Sequence, residues 1–171
     1  MVFPSQYRKP HRLKQFDYSS PCSYLLTFNT ADRKPLLSKV RYRGMYEASD
    51  VVLTDIGRIT ERYLLRIPEV YPHILLENYV IMPDHVHVLL TILPEETEGQ
   101  SKRAGVDTVI RSTKTLISKE IGKSIWQTDF YDVIADSERL FQLCDRYIDE
   151  NPSSWIEKHD DPFAIKQQKG N

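Results

Sequence analysis

Hydrophobic and polar residues follow two periods along this chain, and the change of period divides it into strands and helices. Runs rich in aromatic and β-branched residues are typical of strands, while apolar residues spaced three or four apart are typical of helices. The pattern predicts seven elements: strands over 22–30, 74–82, 85–92 and 125–135, and helices over 50–67, 106–121 and 138–151.

Turn and capping residues mark the ends of these elements. Ser49 or Asp50 is the predicted N-cap of the first helix, and Pro68 ends it. The dipeptide Pro83-Asp84 separates two apolar runs, as expected for a tight connection between antiparallel strands. Pro152 is expected to end the last helix just after Asn151, because proline is unfavourable inside a helix.

The order strand, helix, strand, strand, helix, strand predicts an α+β ferredoxin-like (RRM-like) sandwich. Its antiparallel sheet should carry helices on one face, with an additional C-terminal helix. We assign 1–20 to a basic N-terminal arm, 21–155 to a single domain and 156–171 to a polar tail.

Composition agrees with one domain that has a true core, since 40% of the 171 residues are hydrophobic. No apolar run approaches the roughly 20 residues of a membrane span, and the basic amino terminus lacks the apolar core of a signal peptide. A cytoplasmic protein is therefore expected. Cys22 and Cys144 lie in apolar runs and should be reduced, structural residues.

Charge is distributed unevenly, although the net charge is only −1. Residues 1–14 carry four Lys or Arg and no acid, and residues 101–123 carry six against two acids. Residues 129–161 reverse the sign, with ten acids and three bases. A phosphate-binding surface would have to come from the first two segments; a solvated surface of mixed charge is the alternative.

His85 and His87 should lie side by side, because alternate residues of a strand share a face. The other face of this strand carries Val86, Val88 and Leu90, which suit burial beneath the helices. The histidines are thus expected on the open face of the sheet, where two imidazoles about 6.6 Å apart could bind one ion. A pair of polar residues on a solvated face is the alternative, and a metal site needs at least one more ligand.

Two residues of the last helix could complete such a site. Tyr147 lies on the apolar stripe, and Asn151 follows it by one turn on the same face. Each also has an ordinary structural interpretation, Tyr147 as a core residue and Asn151 as a C-cap. Tyr131 is the second candidate nucleophile, although its predicted strand places it in the core.

Several motifs, in this order and spacing, resemble the REP-associated tyrosine transposases, a branch of the single-tyrosine HUH transposases. The resemblance covers nearly the whole chain, and the combination of Met-Pro-x-His-Val-His with Tyr-Ile-x-x-Asn-Pro is specific. Its segments are 7–13, 17–19, 24–35, 78–87, 109–114, 125–132 and 146–152. One departure is Asp84, where the family often has Asn, so that a carboxylate either tunes the site or closes the turn.

The resemblance implies that His85, His87 and Asn151 bind Mg²⁺ or Mn²⁺ and that Tyr147 attacks DNA. Imidazole ligands suit Mn²⁺ better than Mg²⁺. Attack would give a 5′-phosphotyrosine and a free 3′-OH, a step that another 3′-OH can reverse to join strands. The implied substrate is single-stranded DNA beside a hairpin, such as a repetitive extragenic palindrome (REP), handled by a nucleoid-associated protein. The resemblance does not decide between a monomer and a homodimer.

Basic residues outside this site are candidate DNA contacts. One group lies in the arm and the other on the polar stripe of the second helix; they are Arg8, Lys9, Arg12, Lys14, Arg111, Lys114 and Lys119. Two other functions compete with the transposase hypothesis. One is a non-catalytic ferredoxin-like module that binds single-stranded nucleic acid, and the other is a metal-dependent hydrolase that uses activated water.

Overall fold

Four antiparallel strands form the central sheet: β1 (Ser23–Asn29), β4 (Ile74–Ile81), β5 (His85–Ile92) and β6 (Tyr131–Ala135). Their spatial order is β4-β5-β1-β6. The computed structural model describes residues 16–41, 50–94 and 103–159. Within the sheet, β5 pairs with β1 and β4, and β1 also pairs with β6.

Two helices pack on one face of this sheet, α1 (Asp55–Leu65) and α3 (Val106–Ile121). The core on this side joins the even-numbered residues of β5 to apolar residues of both helices, among them Leu64, Val109 and Ile117. The predicted α+β ferredoxin-like sandwich is therefore confirmed. Of the described residues, no helix combines the length and apolar character needed to cross a membrane.

The opposite face of the sheet is covered by α4 (Glu138–His159). A second apolar cluster fills this interface, with Leu25, Met82 and Leu89 from the sheet side facing Cys144 and Ile148 of α4. The expectation of an open sheet face is wrong, because the apolar stripe of α4 needs a surface to bury and this face supplies it.

The last helix is also longer than predicted, since α4 continues through Pro152 to His159. A proline inside a helix removes one backbone hydrogen bond, at a cost of about 3 kcal/mol. Burial of Pro152 and Ser154, with Trp155 packed against the second core, offsets this cost. Asn151 is therefore not a C-cap, and the predicted boundary at residue 155 falls inside the helix.

A small hairpin was also missed. It consists of β2 (Ser38–Arg41) and β3 (Asp50–Leu53), and it packs against α4 through Val40 and Val51. Asp50–Leu53 is thus strand rather than the first turn of α1. Thr54 is the N-cap of that helix, because its hydroxyl accepts a hydrogen bond from Gly57 N at 3.1 Å.

Two smaller differences concern helix and strand ends. The chain turns helical again beyond α1, forming α2 (Ile67–Val70) with Pro68 in its first turn, a position that proline tolerates. The fourth sheet strand is shorter than predicted, because Trp126 makes only an isolated bridge to Thr30.

Candidate active site

His85 and His87 lie side by side on β5, as predicted, but they are buried. Their exposed fractions are 7% and 4%, and their ring centroids are 4.7 Å apart. The rings stand nearly perpendicular, at 76°. Burial follows from the position of α4, which lies over the face that carries both side chains.

Each histidine ring is oriented by a hydrogen bond at Nδ1. The carboxylate of Asp84 lies 2.6 Å from Nδ1 of His85, and the hydroxyl of Thr27 lies 2.6 Å from Nδ1 of His87. Thr27 comes from β1, where it is the register partner of His87. With Nδ1 used in this way, Nε2 is the nitrogen of each ring that could bind an ion.

Asp84 is held in turn by an arginine. Its second carboxylate oxygen lies 2.9 Å from Nε of Arg33, which also donates to the amide oxygen of Asn29. Burial alone would raise the pKa of the Asp84 carboxyl. The hydrogen bond to His85, the electrostatic interaction with that ring and the positive charge of Arg33 outweigh that effect and lower its pKa. Asp84 therefore does more than close the turn, since it is an ionised partner of His85.

Helix α4 brings aromatic rings to both histidines. The ring of Tyr147 lies 5.0 Å from that of His87, and the ring of Trp155 lies 5.8 Å from that of His85. Asn151 lies midway between them on the helix, one turn from each, and is 9% exposed. The structure thus places all four predicted residues at the interface between α4 and the sheet, with Asn151 on the helix face that carries Tyr147 and Trp155.

The position of α4 over the sheet is fixed by a polar anchor on β4. The side-chain amide of Asn78 donates to Asp145 at 2.7 Å and to Asp149 at 3.0 Å. These aspartates are one helical turn apart and lie on either side of Tyr147 in sequence. The anchor therefore sets which turn of α4 lies against β5.

The two histidines could form a protein site for a divalent ion only together with the side-chain amide of Asn151. The described part of the chain contains no group of three or more His, Cys, Asp or Glu side chains that could hold a metal. Two imidazole nitrogens with the amide oxygen of Asn151 would give three protein ligands and leave coordination positions for substrate. This mixed nitrogen and oxygen set is compatible with Mn²⁺ or Mg²⁺.

The predicted DNA contacts fall in different places. Arg8, Lys9, Arg12 and Lys14 lie outside the described residues. Arg111 and Lys119 are exposed on α3, which packs on the sheet face away from α4. Lys114 is buried, and its ammonium donates to the carbonyls of Gln127, Thr128 and Asp129 at 2.6–3.4 Å. With three N–H groups directed to three carbonyls, Lys114 is a structural residue rather than the predicted phosphate contact.

Tyr131 is exposed rather than in the core, with 52% of its surface accessible. It pairs with Thr27, which pairs in turn with His87, so all three side chains point to the same sheet face. Tyr131 begins β6 at the edge of the sheet, and this position explains its exposure. It remains a second tyrosine near the histidine pair.

Three residues of the site were not singled out from the sequence. Thr27 and Arg33 become neighbours of the site only through strand pairing and the turn after β1. Trp155 had a detectable signal, because residues 147, 151 and 155 continue one i, i+4 row on the helix. Because Pro152 is expected to end the helix, the predicted row stops at Asn151 and does not include Trp155.

No family model matches this chain. An uncharacterized protein of Haemophilus influenzae is 24% identical, over 87% of this chain and 90% of that protein. A candidate transposase from Deinococcus radiodurans R1 covers 83% of this chain and 97% of its own at 16% identity, but its TM-score of 0.46 is too low to support a shared fold.

A second solved structure is more similar. It is a REP-associated tyrosine transposase bound to a REP hairpin, with a TM-score of 0.57 and 19% identity. The match covers 84% of this chain and 74% of that one. The protein therefore has the fold of a REP-associated tyrosine transposase.

Proposed function

We propose that this protein is a REP-associated tyrosine transposase that cuts and rejoins single-stranded DNA beside a hairpin. The observation that carries the proposal is the arrangement on α4, where Tyr147 lies against His87 and Asn151 follows one turn later. A phenol next to two imidazoles and an amide is a suitable set for phosphoryl transfer through a tyrosine.

In the proposed reaction, the phenolic oxygen of Tyr147 attacks the scissile phosphorus. The new bond joins phosphorus to that oxygen, and the bond from phosphorus to the 3′ oxygen breaks. The phenol loses its proton and the leaving strand gains one, so the products are a 5′-phosphotyrosine and a 3′-OH. Because the covalent bond conserves the energy of the phosphodiester, a 3′-OH from another strand can reverse the step without ATP.

A divalent ion, Mg²⁺ or Mn²⁺, would polarise the scissile phosphate and offset the charge that develops on it. Nε2 of His85, Nε2 of His87 and the amide oxygen of Asn151 would hold this ion. Asp84 and Thr27 would keep both imidazoles in the tautomer that leaves Nε2 to the ion. Asn78 would keep Tyr147 next to the two histidines by holding α4 in position.

The substrate proposal rests on the fold neighbour, whose structure contains a REP hairpin. For this chain we propose hairpin DNA with a single-stranded flank as the substrate, and a REP-type palindrome as its natural form. Whether one subunit or a homodimer acts can be measured by light scattering on the purified protein with and without DNA.

A covalent capture experiment tests the proposed function. The full chain is incubated with a labelled hairpin oligonucleotide and Mn²⁺, and the adduct is isolated under denaturing conditions. Peptide mass spectrometry should place the nucleotide on Tyr147. Cleavage with a free 5′ end and no adduct would indicate a hydrolase that uses water, and binding without cleavage would indicate a non-catalytic module.

A further inference from the structure

A cleft of about 730 Å³ lies outside the candidate active site, beside the C-terminal half of α3. Its opposite wall is the segment that leads from this helix toward β6. Polar and basic side chains dominate the lining, which includes Arg111, Lys114, Lys119, Lys123, Gln127 and Thr128. None of the lining residues is acidic.

Three of the lining cations are available to a ligand. Arg111, Lys119 and Lys123 are exposed, and none of them forms an ion pair within the described part of the chain. Of the two acids of α3, Glu120 is paired with Arg62 of α1, and Asp107 lies in the first turn of the helix, outside the cleft lining. The cleft therefore presents a positive surface that no described carboxylate neutralises by direct contact.

Lys114 gives this cleft a fixed wall. Its buried ammonium binds the carbonyls of Gln127, Thr128 and Asp129, which ties this segment to α3. Burial lowers the pKa of Lys114, and the positive charge of Arg111 lowers it further. Because three carbonyls satisfy its ammonium, Lys114 stabilises the wall of the cleft and is not itself a ligand-binding cation.

The cleft extends to the strand that borders the histidine pair. Gln127 lines the cleft, and its backbone N–H donates to the carbonyl of Asn29 at 2.9 Å. The side-chain amide of Asn29 also donates to that of Gln127 at 3.2 Å. Asn29 is the register partner of His85. One end of the cleft is therefore a single strand away from the candidate active site.

The spacing of the cations favours a polyanion over a small anion. Arg111 and Lys119 are two helical turns apart on the same face, about 12 Å along the axis. With both side chains extended, this spacing suits separate phosphates of one nucleic-acid strand better than a single small anion. Backbone contacts of this kind position DNA without reading its sequence.

We infer that this cleft binds the sugar-phosphate backbone of the same DNA whose scissile phosphate enters the active site. The inference rests on the proposed function. Because α3 and the histidine pair lie on opposite faces of the sheet, backbone held along α3 would pass the end of β1, at Gln127 and Asn29, to reach the pair. The cleft would thereby supply the affinity that a chain with a net charge of −1 needs from a local basic surface.

Salt dependence of DNA binding tests the inference. The variant Arg111→Gln/Lys119→Gln/Lys123→Gln removes three charges and keeps the side chains polar. The matched control, Arg58→Gln/Arg66→Gln/Arg139→Gln, removes three exposed charges outside the cleft. Kd for a hairpin oligonucleotide with a single-stranded flank is measured at several salt concentrations, after circular dichroism has verified that both variants fold.

The cleft variant should bind more weakly and lower the slope of log Kd against log salt by about 2, since each phosphate contact in a single strand contributes about 0.7. The single change Lys123→Gln should lower this slope by about a third of that amount. The control should keep the wild-type slope. An unchanged slope in the cleft variant, from a wild-type protein that forms the tyrosine adduct, would overturn this inference and leave the proposed function intact. Absence of DNA binding by the wild type would overturn both.

Discussion

The ring of Tyr147 lies edge-on to the ring of His87, with the two centroids 5.0 Å apart and the planes at 68°. The contact joins the last helix to a central strand of the sheet. Apolar packing of Cys144 and Ile148 on either side of the tyrosine supports it, and the hydrogen bonds of Asn78 fix the helix in position. The candidate nucleophile is therefore held by the fold before any substrate binds.

Exchange of Tyr147 for Phe should separate catalysis from folding and from DNA binding. The ring and its packing against His87 remain, but the oxygen that would attack phosphorus is lost. We expect the covalent adduct to disappear while Kd for hairpin DNA stays within about twofold of wild type.

Tyr131→Phe is the matched control for this variant. Tyr131 shares a sheet face with His87 but begins an edge strand and is exposed. The control should keep the adduct at the wild-type level. The opposite pattern, an adduct that survives in Tyr147→Phe and is lost in Tyr131→Phe, would assign the nucleophile to β6.

The hydrogen bonds at Nδ1 of the histidines lead to a prediction about metal affinity. Asp84→Ala and Thr27→Val each remove the hydrogen-bond partner of one Nδ1, so that the ring can adopt either neutral tautomer. We expect each change to weaken Mn²⁺ binding by about 10- to 100-fold. Asp84→Asn, which retains a hydrogen-bond acceptor but not the charge, should weaken it less than Asp84→Ala.

Two measurements check this prediction. Electron paramagnetic resonance of Mn²⁺ gives the affinity, and ¹⁵N chemical shifts of the imidazoles report the tautomer without any ion. Wild-type rings should carry the Nδ1–H tautomer, and Asp84→Ala should shift His85 alone toward a mixture. Identical imidazole spectra in wild type and variant would show that Asp84 does not orient the ring.

Much of this site could be read from the sequence, because its members follow local rules. Alternation along a strand placed His85 beside His87, and helical spacing placed Asn151 one turn from Tyr147. The resemblance to the transposases then connected the two pairs. Periodicity along one strand or one helix carries no information on how α4 meets the sheet.

The remaining features depend on contacts between distant segments. The second sheet face was expected to be open, yet α4 covers it. Pro152 is unfavourable in a helix by a local rule, and burial of the last turns overrides that rule. Asp50–Leu53 fits a helical pattern in isolation, but pairing with Ser38–Arg41 makes it a strand. Helical spacing places Lys114 on the polar stripe of α3, but its ammonium binds three carbonyls of residues 127–129, beyond the end of that helix.

The anchor between Asn78 and α4 should contribute to stability. Asn78→Ala removes two hydrogen bonds to carboxylates at a partly buried position, so the free energy of unfolding should fall by about 1–2 kcal/mol. Asn78→Asp should be worse, because it places a third carboxylate beside Asp145 and Asp149.

Urea denaturation at pH 7 measures both changes. Added salt should recover part of the loss in Asn78→Asp, since it screens repulsion between carboxylates, and should not recover the loss in Asn78→Ala. Equal stability of all three proteins would mean that apolar packing alone fixes the helix.

Cys144 should make the docking of α4 sensitive to alkaline pH. Burial, and secondarily the charge of Asp145, raises the pKa of its thiol from 9.0 to about 12. Below pH 9 the thiol is protonated in both the folded and the unfolded chain, so its contribution to stability is complete. Between pH 9 and 12 the unfolded chain loses the proton while the folded chain keeps it, and stability falls as the pH rises.

Cys144→Ala lacks this group, so it should be less stable than wild type at pH 8 because of the smaller side chain, and the difference should narrow steadily toward pH 11. Urea titrations of both proteins at pH 8, 9, 10 and 11 provide the measurement. A difference that stays constant over this range would contradict the raised pKa, and with it the dry contact between α4 and the sheet that holds Tyr147 against His87.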